Sequence, residues 1–150
     1  RAWAVDPTGY DPVVRFLAYG HPAAMAIAVA LTFLALRAGL GMRRRRQQGA
    51  AKEPGALARH MALARPAVLL GGLGLLSGPL SAFFLRDWVP LQTLHGGLAL
   101  LAGGLLLSAG FLGWRISRGE SRAVALHGWL GLWAALAAGV ATFAGFVLLP

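Results

Sequence analysis

The sequence predicts an all-α fold: a polytopic membrane protein whose four spanning helices form an antiparallel four-helix transmembrane bundle. Three observations predict it. The 150-residue chain is 57% hydrophobic and only 13% charged, with 21 glycines, a composition suited to lipid rather than water. Its apolar residues fall in four runs, each close to or above the roughly 20 helical residues that a bilayer core requires. Its charges are sorted by loop. Eleven of the 14 Lys and Arg lie in or beside two loops: Arg37, Arg43, Arg44, Arg45, Arg46, Lys52, Arg59 and Arg65, then Arg115, Arg118 and Arg122. Only Glu53 and Glu120 oppose them there, while Arg1, Arg15 and Arg86 are balanced by Asp6, Asp11 and Asp87. This asymmetry places the basic loops on the cytoplasmic side and both termini opposite. It also accounts for the net charge of +9 without a nucleic-acid partner.

A single transmembrane domain, 1–150, is expected, with spans at about 16–40, 57–86, 90–114 and 123–149. Residues 1–15 read as an extracytoplasmic arm, marked by Pro7, Gly9 and Pro12. The arm lacks an initiator Met and a basic-then-apolar signal pattern, which leaves open an upstream piece that is removed or lies outside these 150 residues. In the first span Pro22 predicts a helix that starts there, with His21 at its cap. The face through His21 continues as Ala24, Ala28, Ala35 and Gly39. The following loop, Arg43 to Pro54, is polar, basic and expected to be mobile.

The second span has its apolar core at Pro66 to Leu85, and a helix beginning near Ala56 would include His60. From His60 the same face carries Ala64, Ala67, Gly71, Gly74 and Gly78, while Pro66 and Pro79 each threaten a kink. Trp88, in the short turn that follows, suits a membrane interface. The third span, Leu91 to Trp114, has no formal charge. It carries His95 about one turn inside, followed by Gly96 and Gly97, and its face runs Ala99, Ala102, Ala109 and Gly113 with Leu106 as the bulky interruption. Ser121 is the expected cap of the fourth helix. That helix carries His127, then Gly131, Ala134, Ala138, Ala141 and Gly145 on one face.

All four histidines thus sit one per span beside small residues. Spans one and three enter from the extracytoplasmic side, spans two and four from the basic side. His21 and His95 should therefore share an outer level and His60 and His127 an inner one, each pair on diagonal helices. At 1.5 Å per residue the levels lie about 25–30 Å apart. A polar ring in a spanning helix needs a partner, which makes it a functional candidate. Two neutral imidazoles facing across a bundle suit the axial positions of a six-coordinate haem iron, with Ala and Gly leaving a slot for the ring. Small stripes also serve close helix contact, and a histidine near an interface also serves as a solvated hydrogen-bonding group. The joint pattern favours two tetrapyrroles, with the four histidines as metal ligands and Gly96, Gly131 and Gly71 beside the ring. Arg59 and Arg65 inside, and Arg15 and Arg86 outside, are candidate partners for propionates, or simply snorkelling cations. Tyr10 and Tyr19 would line the outer mouth or belong to an aromatic belt.

The chain has no cysteine, which excludes disulfides, iron–sulfur clusters and thiolate metal sites. It offers no paired carboxylates, phosphate-binding glycine loop or nucleophile set for hydrolysis or phosphoryl transfer.

The segments GHPAAM at His21, RHMALARP at His60, TLHGGLAL at His95 and ALHGWLGL at His127 resemble the core of the cytochrome b561 family of transmembrane dihaem proteins. They are closer still to a four-helix relative known only as a domain of unknown function, found largely in photosynthetic lineages. The resemblance runs from about Leu17 to the end. It implies two haem b groups, ligated by His21 with His95 and by His60 with His127, and electron transport across the membrane. The two flanking helices and lysine-rich donor site of ascorbate-using members are missing, so ascorbate oxidation is not implied. Expected partners are membrane lipid, a quinone or other small redox partner, a larger membrane complex, or further copies of the chain. The alternative is a small accessory subunit of a photosynthetic or respiratory complex, with histidines that bind chlorophyll-type pigment or serve only in packing. A scaffold or transporter without cofactor lacks the broken helices such sites use.

The charge asymmetry makes the orientation testable. Cysteines placed at Gln47 and Thr8 should be labelled by an impermeant thiol reagent from opposite sides of the membrane. Labelling of both from one side would remove the basis for the two histidine levels.

Overall fold

The structure, a computed structural model, describes residues 12–86 and 92–147, with side chains described over 19–84 and 92–147. Four helices follow one another: α1, Pro12–Gln47; α2, Ala56–Arg86; α3, Leu94–Ser117; and α4, Val124–Phe146. Each is long and apolar enough to cross a membrane. The fold is therefore the expected all-α membrane bundle. The arm up to Asp11, with Tyr10, and the turn containing Trp88 lie outside the described residues.

Three local expectations need correction. The first helix does not start at Pro22; it begins at Pro12 and carries Pro22 in its interior. Helix α2 also contains Pro66 and Pro79, the two positions where a kink is expected. In lipid no water replaces a lost backbone bond, so a spanning segment stays helical through a proline and neighbouring groups take up the freed carbonyl. Second, Arg43 to Gln47 belong to α1 rather than to a loop. Third, α4 is capped at Ala123 without a side-chain bond; Ser121 instead accepts the Ala123 N–H at 3.2 Å, one step before the helix. At the start of α3 the Thr93 hydroxyl accepts the Gly96 N–H, which places the helix start at Leu94.

The basic ends of α1 and α3 close in the same way. Gly49 (φ 66°) and Gly119 (φ 75°) occupy the left-handed conformation that ends a helix. Around them Ala50 N–H reaches Arg45 O and Gly49 N–H reaches Arg46 O, while Glu120 N–H reaches Arg115 O and Gly119 N–H reaches Ile116 O. Each hairpin thus turns on one Schellman cap.

Helices α1 and α2 pack closely, as do α3 and α4, and the two hairpins meet more loosely along α1–α4 and α2–α3. Among the described residues the diagonal pairs α1–α3 and α2–α4 do not approach. The core is alanine: Ala28, Ala35, Ala67, Ala102, Ala109, Ala134, Ala135 and Ala141 are all buried, and among the described residues no large side chain is fully enclosed. Glycines cut notches between the hairpins, with Leu75 seated at Gly103, Val68 at Gly110 and Leu106 at Gly71. Leu106, the bulky interruption on the His95 face, is thus accommodated by a missing Cβ on α2. Leucines and aromatics such as Leu69, Leu73, Phe83, Trp133 and Phe143 point outward, where lipid is their solvent.

Ala134 is 1% exposed and Leu136 46% exposed. Ala134→Leu should therefore lower stability by about 1–3 kcal/mol through overpacking, while Leu136→Phe should leave it within about 0.5 kcal/mol. Unfolding of both variants by titrated denaturing detergent makes the comparison; equal losses would mean that the alanine seam is not the core.

Candidate cofactor sites between the hairpins

Each histidine is held by the partner helix of its own hairpin. The Nδ1 of His60 on α2 lies 2.9 Å from Ala35 O on α1. On the other hairpin, His95 Nδ1 lies 2.7 Å from Ala141 O and His127 Nδ1 lies 3.0 Å from Ala109 O. Because a carbonyl only accepts, these three imidazoles donate Nδ1–H and, when neutral, leave the Nε2 lone pair for another partner. That is the arrangement by which a protein orients a metal-bound histidine. His21 differs: its Nδ1 is 3.2 Å from the Ser77 hydroxyl, which both donates and accepts.

A common spacing lies behind this. In every helix the histidine is followed by an alanine seven residues on: Ala28, Ala67, Ala102 and Ala134, with exposures of 3, 1, 7 and 1%. Fourteen residues on come Ala35, Gly74, Ala109 and Ala141, and eighteen on come Gly39, Gly78, Gly113 and Gly145. Eighteen residues are five helical turns, or about 27 Å, so histidine and glycine share one face at opposite ends. In each antiparallel hairpin the histidine of one helix lies against the glycine of the other: His21 at Gly78, His60 at Gly39, His95 at Gly145 and His127 at Gly113. The two histidine levels are accordingly about 27 Å apart.

At the basic end the diagonal histidines meet. The ring centroids of His60 and His127 are 6.1 Å apart with the planes at 89°. Two imidazoles bound to one metal through single nitrogens bring their centroids about 6 Å apart, given metal–nitrogen bonds of about 2 Å. At the other end His21 and His95 line a cavity of about 430 Å³, within the range of small-molecule and cofactor sites. All four helices contribute to its walls, including Gly96, Ala99, Gly71 and Ala138, with Thr32 and Thr142 as polar points. Among the described residues no three His, Asp or Glu side chains converge on one point. The available donor sets are therefore the imidazole pairs.

No family model, curated protein or solved structure matches this chain. The site is read from its geometry.

The other expected residues are dispersed. Gly131 faces open space one turn beyond His127, where a Cβ would meet nothing within 4 Å. Gly71 lines the outer cavity and also receives Leu106, so it is a helix contact as well. Arg59 is bound to Glu53 in the connecting loop, which Arg45 also reaches at 3.3 Å. The Arg59 bond, then the charges of Arg59 and Arg45, hold the Glu53 carboxyl below its ordinary range. Arg65 and Tyr19 are exposed, and the side chains of Arg15 and Arg86 lie outside the described residues. Sequence reasoning missed the carbonyls of Ala35, Ala109 and Ala141 and the role of Ser77. It found the small stripes but not their fixed spacing, which was the available signal.

Proposed function

We propose that this chain is a transmembrane electron-transfer protein that holds two b-type haems, one between His21 and His95 and one between His60 and His127. It would move electrons between the two membrane faces, with the basic loops cytoplasmic. The observation that carries the reading is the His60–His127 pair, two rings with centroids 6.1 Å apart on helices whose backbones, among the described residues, are not in contact. Three features support it: the carbonyls that direct Nε2 away from the helix seams, the outer cavity lined by His21 and His95, and the resemblance to the cytochrome b561 core. A chlorophyll-type magnesium usually takes a single axial imidazole, so paired rings favour iron.

Bound haem iron supplies reversible one-electron exchange at a potential set by its ligands and their dielectric surroundings. The polypeptide contributes the rest. Its imidazoles bind, and the Ala35, Ala109 and Ala141 carbonyls orient them. Outward-facing Leu, Phe and Trp side chains would surround the span between the levels with apolar surface. The electron partners would be a quinone or small redox carrier in the membrane, or a larger complex that includes this chain.

Oxidised and reduced absorption spectra of the purified protein should show a b-type haem. His95→Ala and His127→Ala should each lower haem content from two to one per chain, at the outer and inner level respectively. Unchanged content and spectrum would make that histidine a packing residue.

Gly131 gives a second test, because its open side needs no rearrangement to receive a side chain. Gly131→Leu should fold normally yet lose the inner haem, whereas Leu136→Phe on another face of α4 should keep both. Equal haem content per folded protein in the two variants would place the cofactor elsewhere.

A further inference from the structure

We infer that Gly113 and Gly145 are positioning residues, each of which uncovers a backbone carbonyl on its own helix so that an imidazole of the partner helix can donate to it. In a regular helix the carbonyl of Ala141 receives the N–H of Gly145, and that of Ala109 the N–H of Gly113. A carbonyl oxygen has a second lone pair. The Cβ of a helical residue leans back over the preceding turn, which is where that lone pair is approached. With glycine the approach is open. His95 Nδ1 comes to 2.7 Å from Ala141 O and His127 Nδ1 to 3.0 Å from Ala109 O.

The space is fully used. A Cβ at Gly145 would stand 2.7 Å from both Cε1 and Nδ1 of His95, and one at Gly113 would stand 2.9 Å from Cε1 of His127. Each ring would have to move from its present place to admit such an atom. The third case is different. A Cβ at Gly39 would meet His60 at 3.5 Å, ordinary contact, although His60 donates to Ala35 O in the same way. The same glycine-to-alanine change therefore releases two imidazoles and spares the third, and each glycine acts on a histidine of the neighbouring helix rather than of its own.

The inference adds a role for these glycines to the ligand reading above, and it matters for function only if that reading holds. The test uses the whole chain in lipid nanodiscs with nitrogen-15-labelled histidine, first without cofactor and then titrated with ferric protoporphyrin IX. Gly145→Ala should shift the ring-nitrogen signals of His95 alone and Gly113→Ala those of His127 alone, while Gly39→Ala shifts none. Protoporphyrin affinity should fall about 10–100-fold at the matching level only, as when an outer-shell partner of a metal ligand is removed. Unchanged His95 signals in Gly145→Ala would overturn the inference, and so would equal shifts in all three variants, which would indicate a general loss of helix packing. Gly113→Ala tests the opposite end independently if Gly145→Ala does not fold. Selective signal shifts in a chain that takes up no protoporphyrin would support the glycine role and overturn the haem reading.

Discussion

The close approach of the two helices within each hairpin governs the rest of this molecule. Alanine at the crossing points brings the backbones together, and at that separation an imidazole on one helix reaches a carbonyl on the other. Hydrogen bonds between membrane helices average about 0.6 kcal/mol and reach about 1.7, so three such bonds do not hold the bundle together by themselves. Their importance lies in direction. An imidazole with Nδ1 on a carbonyl has one free nitrogen, and its ring plane is fixed by a backbone atom that no side-chain change can remove.

The tight hairpins explain why space remains between them. Buried alanines line the hairpin seams, while the bulkier Leu75, Val68 and Leu106 sit at the α2–α3 contact, where glycine notches receive them. The looser contact between hairpins leaves the axis open where His21 and His95 face the cavity, and narrow where His60 and His127 meet. The two levels share a residue type but differ in their surroundings: three carbonyl-anchored imidazoles have a fixed donor nitrogen, whereas His21 bonds to a hydroxyl that does not fix its tautomer.

Much of this was legible in the sequence. Hydropathy locates all four spans, and the chain order of an antiparallel bundle places His60 with His127 on one level. Boundaries were less legible. Pro22 reads as a helix start by rules for water-solvated helices, and those rules weaken where lipid forbids an unsatisfied backbone. Arg43 to Arg46 read as loop because charge suggests solvent, yet a helix extends past the bilayer as long as its carbonyls find donors, here through Gly49. The carbonyl acceptors were invisible as residue types, because an alanine gives no chemical sign that its backbone oxygen has a second partner. Only the recurrence of histidine, alanine and glycine at seven, fourteen and eighteen residues marks them.

That recurrence also bears on biogenesis. Each proposed site takes one histidine from each hairpin, so neither hairpin owns a complete site. During synthesis from the N-terminus the outer pair is complete once α3 has entered the membrane, since His21 and His95 are then both present. The inner pair waits for His127 on α4, the last of these four helices to be made. On the proposed reading, an inner haem is a record that all four helices were inserted, and a chain truncated after α3 would carry the outer pair of ligands only.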